Sequence, residues 1–183
     1  MKYTQNTLTV AKKLLGKIIS VKHGNHTISG RIIETEAYRE NDPACHAYLG
    51  KKTKRTEPMF LTGGHIYIYF IYGMHYCLNI VTENKGYAAA VLIRAIQPLS
   101  GIKVMKANRG LTVSEKNLAN GPGKLVQALG IKPTCNGLYL ENTNCPITIS
   151  GQSAHSKNIH TSTRIGINKG KNLLWRFTLT GKT

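Results

Sequence analysis

Acidic side chains are scarce. Only 8 of the 183 residues are Asp or Glu against 25 Lys and Arg, a formal charge of +17. So lopsided a balance attracts polyanions, and nucleic acid is the usual one. Long apolar runs are missing as well. None approaches the roughly 20 residues that span a bilayer, and Met1 to Leu8 lacks the apolar core of a secretion signal. No long basic amphipathic segment stands ready to lie on an anionic membrane. No CxxC pair occurs among Cys45, Cys77, Cys135 and Cys145. Without a secretion signal these read as free buried thiols rather than disulfides. His65, His75 and Cys77 lie close together, but no fourth ligand at zinc spacing completes them. No repeat or linker divides the chain, so it reads as one soluble, cytoplasmic, monomeric domain covering residues 1–183, with no membrane partner, no metal and no cofactor. An apolar content of 41% is ordinary for a globular chain and excludes wholesale disorder.

What is present has a clear periodicity. Leu8, Ala11, Leu14 and Leu15 recur at helical spacing before Gly16, predicting a helix from Thr7 to Leu15. Strands are predicted over 17–21 and 28–38, around a Gly24-Asn25 turn, and over 66–72, 76–81 and 88–96, the last stopped by Pro98. Residues 39–64 are polar, basic and turn-rich, and so long an irregular stretch is usually functional. Helices are predicted over 102–107 and from about Asn120, with Pro122 in the first turn and Leu125, Ala128 and Leu129 buried. Residues 147–150, 163–167 and 175–179 read as short strands. The expected class is α+β: a curved antiparallel sheet, helices around it and a protruding hairpin.

Two of the few acids, Glu34 and Glu36, fall two residues apart in an apolar strand and share a face with Tyr38. A solvated strand edge would explain them as well as a catalytic site would, and alternation cannot choose between the two acids. In Tyr67-Ile-Tyr-Phe-Ile-Tyr72 the tyrosines are dense, and Tyr72 directly precedes Gly73 at a predicted hairpin tip. An aromatic in a core strand is unremarkable; at a turn tip it leaves apolar area in water. A basic protein with these parts is suited to a base drawn out of a duplex. Extrusion costs a few kcal/mol of stacking and pairing, and an aromatic wedge occupies the gap. Aromatic walls stack on the base and favour a positively charged one. A carboxylate near the sugar can activate water and stabilise an oxocarbenium-like charge.

The ordered segments Glu34-Thr-Glu-Ala-Tyr38, Asp42-Pro-Ala-Cys-His46, Tyr67-Ile-Tyr-Phe-Ile-Tyr-Gly-Met-His75, Leu78-Asn79, Val91-Leu-Ile-Arg94 and Asn120-Gly-Pro-Gly-Lys-Leu125 together resemble the 3-methyladenine (alkyladenine, N-methylpurine) DNA glycosylase family, in a compact bacterial-type form. The resemblance runs from the first helix to Arg176-Phe177. It implies that Glu36 is the water-activating base and Glu34 its neighbour. It implies that Tyr38, His46 and Tyr69 wall the base pocket, with Asn79 on its floor against the guanine amino group. It also implies that Tyr72 enters the DNA, that Arg94 positions the water or a phosphate, and that backbone near Ile167 reaches the pocket. The partner implied is double-stranded DNA carrying alkylated or deaminated purines, in a nucleoid-associated setting. No nucleophilic lysine is singled out, so strand cleavage is not expected. Gly121-Pro-Gly-Lys124 lacks Walker spacing, and Lys124 reads equally as a phosphate contact or part of a structural cap. A metal-dependent nuclease built on Glu34 and Glu36 and a non-catalytic nucleic-acid binder are the competing readings.

Overall fold

The computed structural model describes residues 1–180. Its helices are α1 (Thr7–Leu14), α2 (Ile102–Arg109), α3 (Glu115–Leu118) and α4 (Pro122–Ala128). Its strands are β1 (Ile18–His23), β2 (His26–Arg39), β3 (Ile66–Ile71), β4 (His75–Val81), β5 (Ala89–Ser100), β6 (Ile147–Ser150), β7 (Ile159–Ser162) and β8 (Arg176–Leu179). All eight strands join one antiparallel sheet in the order β3-β4-β5-β2-β1-β6. A β7-β8 pair attaches to the second half of β2, where Glu34, Thr35 and Glu36 face Thr178, Phe177 and Arg176. The class is α+β, as expected. Among the described residues no helix is long and apolar enough to cross a membrane.

One face of the sheet carries the main core. At eight residues α1 is too short to persist alone in water. It is held by Val10, Ala11 and Leu14, all buried. Its first turn is capped by Asn6, whose Oδ1 accepts from the Leu8 N–H, and by Glu83, whose Oε1 accepts from both the N–H and the hydroxyl of Thr7. Leu125, Val126, Ala128 and Leu129 of α4 and its end fill the same core. The opposite face carries a smaller cluster in which Cys45, Ala47 and Met59, from the long 40–64 segment, pack on Tyr67, Val81 and Ala90.

The two faces change parity along β2. Ile28 and Ile32 point into the main core, then Thr35 and Ala37 do. The switch comes from two bulges back to back. Ile32 and Glu34 oppose Ile96 and Ala95, leaving Ile33 extra on β2; Glu34 and Thr35 oppose Ala95 and Ile93, leaving Arg94 extra on β5. A bulge re-aims the side chains beyond it, and the second restores the pairing. Without them the even-numbered positions would stay coreward, and Glu36 would enter the apolar side.

Two predictions are corrected and one helix is new. Pro98 does not stop β5, which runs to Ser100 with Pro98 opposite Gly30. Beyond Leu92, β5 has no strand on its other side, and Ile96 sends its N–H there to the Ala119 carbonyl; two residues on, a missing N–H costs no ladder bond. Residues 163–167 are not a strand; the strand is β7, just before them. Gly166 takes a positive φ of 74°, and Ile165 and Ile167 alternate toward a cavity rather than a core. Helix α3 lacks a predicted counterpart, because four residues are too few to show a period.

Candidate active site

Sheet register assembles the site. Tyr67 opposes Asn79, Asn79 opposes Leu92, Leu92 opposes Glu36 and Glu36 opposes Arg176. One row of side chains therefore crosses β3, β4, β5, β2 and β8. Above it opens a cavity of about 440 Å³. Tyr38, His46, Tyr69, Tyr72, Asn79, Arg94 and Ile167 all line it, so the residues singled out in the sequence are brought together with one exception.

That exception is Glu36, which is fully buried and sits one side chain behind the cavity wall. Its Oε2 accepts from the Tyr38 hydroxyl at 2.7 Å and from Arg94 NH1 at 3.2 Å; its Oε1 accepts from the Ile165 N–H at 2.8 Å. Tyr38, Arg94 and Ile165 are all in the wall. A carboxylate offers about four acceptor positions, so one remains on Oε1, beside Ile165. Glu34 is occupied differently: its Oε1 takes Nε of both Arg94 (2.9 Å) and Arg176 (2.7 Å). The structure thus separates two acids that strand alternation leaves equivalent. Both carboxylates already face arginines, which disfavours a cation between them. Among the described residues no group of three or more His, Cys, Asp or Glu is arranged to hold a metal ion.

The walls are aromatic. His46 stands edge-on to Tyr69 with ring centres 4.5 Å apart, and Tyr69 lies 5.5 Å from Tyr67. His46 Nδ1 meets the Tyr67 hydroxyl at 2.9 Å, and its Nε2 faces Arg55 at 3.4 Å. An arginine only donates, so Nε2 accepts and Nδ1 carries the proton. Crowding by protein, then the Arg55 charge, lowers the His46 pKa to about 4 although the ring stays partly open. Burial followed by the Glu36 carboxylate raises the Tyr38 pKa, and burial followed by Cys77 raises that of Tyr69. Both phenols are therefore neutral donors at physiological pH. Asn79 lies on the floor, its amide donating to the Tyr67 carbonyl at 3.1 Å. Release of a base should show no ionisation from His46 between pH 6 and 8: a His46→Gln variant is expected to lose rate evenly there, and a pH profile of different shape would count against a neutral ring.

Tyr72 occupies the β3–β4 tip, 77% exposed. It and Gly73 have φ of 54° and 68°, the paired positive values of a type I′ turn. Glycine adopts this freely; a tyrosine there costs on the order of 1–2 kcal/mol. Phe70 and Met74 beside it are also exposed. The tip is an apolar projection beside the cavity mouth.

Over residues 1–183 the chain matches the family model described as methylpurine-DNA glycosylase. It belongs to that family. Among its relatives, a provisionally named 3-methyladenine DNA glycosylase of Carboxydothermus hydrogenoformans is 49% identical over 177 residues, 97% of this chain and 92% of that one. Proteins of the same provisional name from Methanoculleus marisnigri and Francisella tularensis are 45% and 43% identical, covering 98% and 93% of this chain and 93% and 89% of theirs.

Several residues at the candidate site of this methylpurine-DNA glycosylase escape sequence reading. The backbone donor to Glu36 is Ile165, whereas Ile167 only lines the cavity. Arg164, next to it, is buried against Asp42: NH1 donates to Oδ2, and NH2 to Oδ1 at 2.9 Å. NH1 also donates to the Ala37 carbonyl, and the guanidinium lies 4.6 Å from the Tyr38 ring centre. One ion pair therefore ties the 163–170 loop, the His46 segment and β2 together. A lone Asp and a lone Arg 122 positions apart give no local signal. Cys45 is buried with its thiol pKa pushed up to about 12, chiefly by burial, so it is a packing group here. Lys124 lines the mouth and donates to Asn120 Oδ1 at 2.9 Å.

Proposed function

We propose that this chain captures alkylated and deaminated purines extruded from duplex DNA, and that Glu36 activates the water that cleaves their N-glycosidic bond. As a methylpurine-DNA glycosylase it is a DNA repair enzyme that hydrolyses N-glycosyl bonds, leaving an abasic site to start base excision repair. The observation that carries the reading is the joining of a buried, hydrogen-bonded carboxylate to the wall of an aromatic cavity with an exposed tyrosine at its mouth. The charge of +17 supplies nonspecific attraction to phosphates. Tyr72 fills the space the extruded nucleotide leaves. Tyr38, His46 and Tyr69 hold the base, and Asn79 meets its edge. Glu36 has no exposed surface in this wall, so Ile165 must shift to admit water to the unpaired position on Oε1. The water's proton then passes to the carboxylate, its oxygen joins the sugar carbon, and the glycosidic electron pair leaves with the base. Arg94 fixes the carboxylate and faces the cavity, where it also suits a phosphate or the water.

Alkylated duplex incubated with the protein and then treated with alkali is expected to break at the alkylated purines, with or without EDTA. Breaks abolished by EDTA would instead favour a nuclease, and their absence a passive binder. At the tip, Tyr72→Gly relieves the left-handed strain and removes the wedge. The variant is expected to melt at or above the parent temperature. Its kcat/KM on duplex lesions should fall about ten- to a hundredfold, the worth of about 1–3 kcal/mol of stacking. Affinity for undamaged duplex should change less than about threefold, since phosphate contacts dominate it. Undiminished duplex activity would remove Tyr72 from the capture step.

A further inference from the structure

Arg55 has no part in the mechanism above, yet its guanidinium is built against the cavity wall. Its carbon lies 5.2 Å from the Tyr69 ring centre and NH2 lies 3.4 Å from His46 Nε2. The loop that presents it is internally braced. Thr56, 3% exposed, donates from its hydroxyl to the Lys51 carbonyl and accepts from the Thr53 N–H. Among the described residues no Asp or Glu lies within ion-pair distance of Arg55. Lys51, Lys52 and Lys54 flank it, and the nearby acid, Glu57, lies 3.9 Å from Lys52 rather than at Arg55.

A cation over a ring draws on the same electron density that the ring would offer a cationic base. Tyr69 and His46 both line the cavity while Arg55 does not, so it acts on both walls from outside. We propose that Arg55 sets the charge selectivity of the cavity, weakening its hold on positively charged bases and keeping neutral purine lesions within its range. This rests on the base-excision reading given above and adds a specificity-determining residue to it.

Two duplexes test it, one with a single 7-methylguanine (cationic) and one with a single hypoxanthine (neutral). The quantity read is the ratio of kcat/KM values, cationic over neutral. Arg55→Met should raise that ratio about tenfold, as expected of a unit charge roughly 9 Å away at an effective dielectric near 20 and partly screened. Arg55→Lys, which keeps the charge, should stay within about threefold of the parent. A purely structural role would lower both substrates together and leave the ratio fixed. A ratio that moves less than twofold in Arg55→Met, or as far in Arg55→Lys, overturns the proposal. Should Arg55→Met fail to fold, Arg55→Gln carries the same expectation, keeping a donor for His46 without the charge. Parent protein releasing neither base would instead sink the base-excision reading itself, before any variant is made.

Discussion

Glu36→Gln is expected to lower base release about a thousandfold, within the range for loss of a general base, while affinity for lesion-containing duplex changes less than about threefold. The amide has the carboxylate's shape but not its basicity. Its oxygen can stay on the Ile165 N–H, and the Tyr38 hydroxyl can turn to accept from its NH2. Arg94 NH1 would then face a donor with a donor, which costs about 1–3 kcal/mol of stability for a buried group left unsatisfied. The companion variant sharpens the test. Glu34→Gln disturbs the link between Arg94 and Arg176 but leaves all three contacts of Glu36. It should keep release within about tenfold of the parent, since its effect reaches the reaction only by loosening Arg94. Single-turnover release from a defined duplex measures both, and a larger loss in Glu34→Gln would reverse the roles of the two acids.

The largest stability effect is expected at the Asp42–Arg164 pair. Both side chains are fully buried. Asp42→Asn leaves the guanidinium without its counter-charge, and breaking a buried pair from one side costs about 3–5 kcal/mol. For a chain of this size that lowers the melting midpoint by roughly 6–20 °C. Asp42→Leu combined with Arg164→Met removes both charges and should recover much of the midpoint, as replacement of buried pairs by apolar groups often does. Activity should not return with it. Arg164 directly precedes the residue whose N–H holds Glu36, and it stacks near Tyr38, so the double variant folds around a misplaced wall. Thermal melts paired with base-release rates decide the matter. Equal recovery of both would make the pair purely structural.

Sequence pattern makes much of this molecule legible, for physical reasons. Helix α1 shows its period and its glycine stop, and the β3–β4 hairpin shows alternation around a Tyr-Gly tip. Glu36 and Tyr38 share a face because alternation holds locally from Glu34 to Tyr38. What stays hidden is longer in range. The parity switch at Ile33 and Arg94 needs both strands at once, because a bulge is a relation between neighbours and not a property of either sequence. The burial of Glu36 behind Tyr38 and Ile165 depends on a loop some 130 positions downstream. The 163–167 segment misleads for a related reason: Ile165 and Ile167 imitate a strand's alternation while facing a cavity.

The row from Tyr67 to Arg176 has a consequence for how the molecule could fail. Each of its five residues comes from a different strand, so the site belongs to no contiguous peptide, and the same hydrogen-bond ladder that aims those residues outward aims Ile93, Thr35 and Ala37 inward. Slipping β5 by one residue would drive the Arg94 guanidinium into the oily side and set Ile93 in Leu92's place, leaving the buried Glu36 carboxylate without its arginine. A chain mispaired there cannot be compact and inactive at once; it is exposed as unfolded by the loss of its own interior. The sheet therefore proofreads its cavity wall through its core, and an inactive population built by slippage should appear as aggregated or degraded protein rather than as a stable, silent binder of DNA.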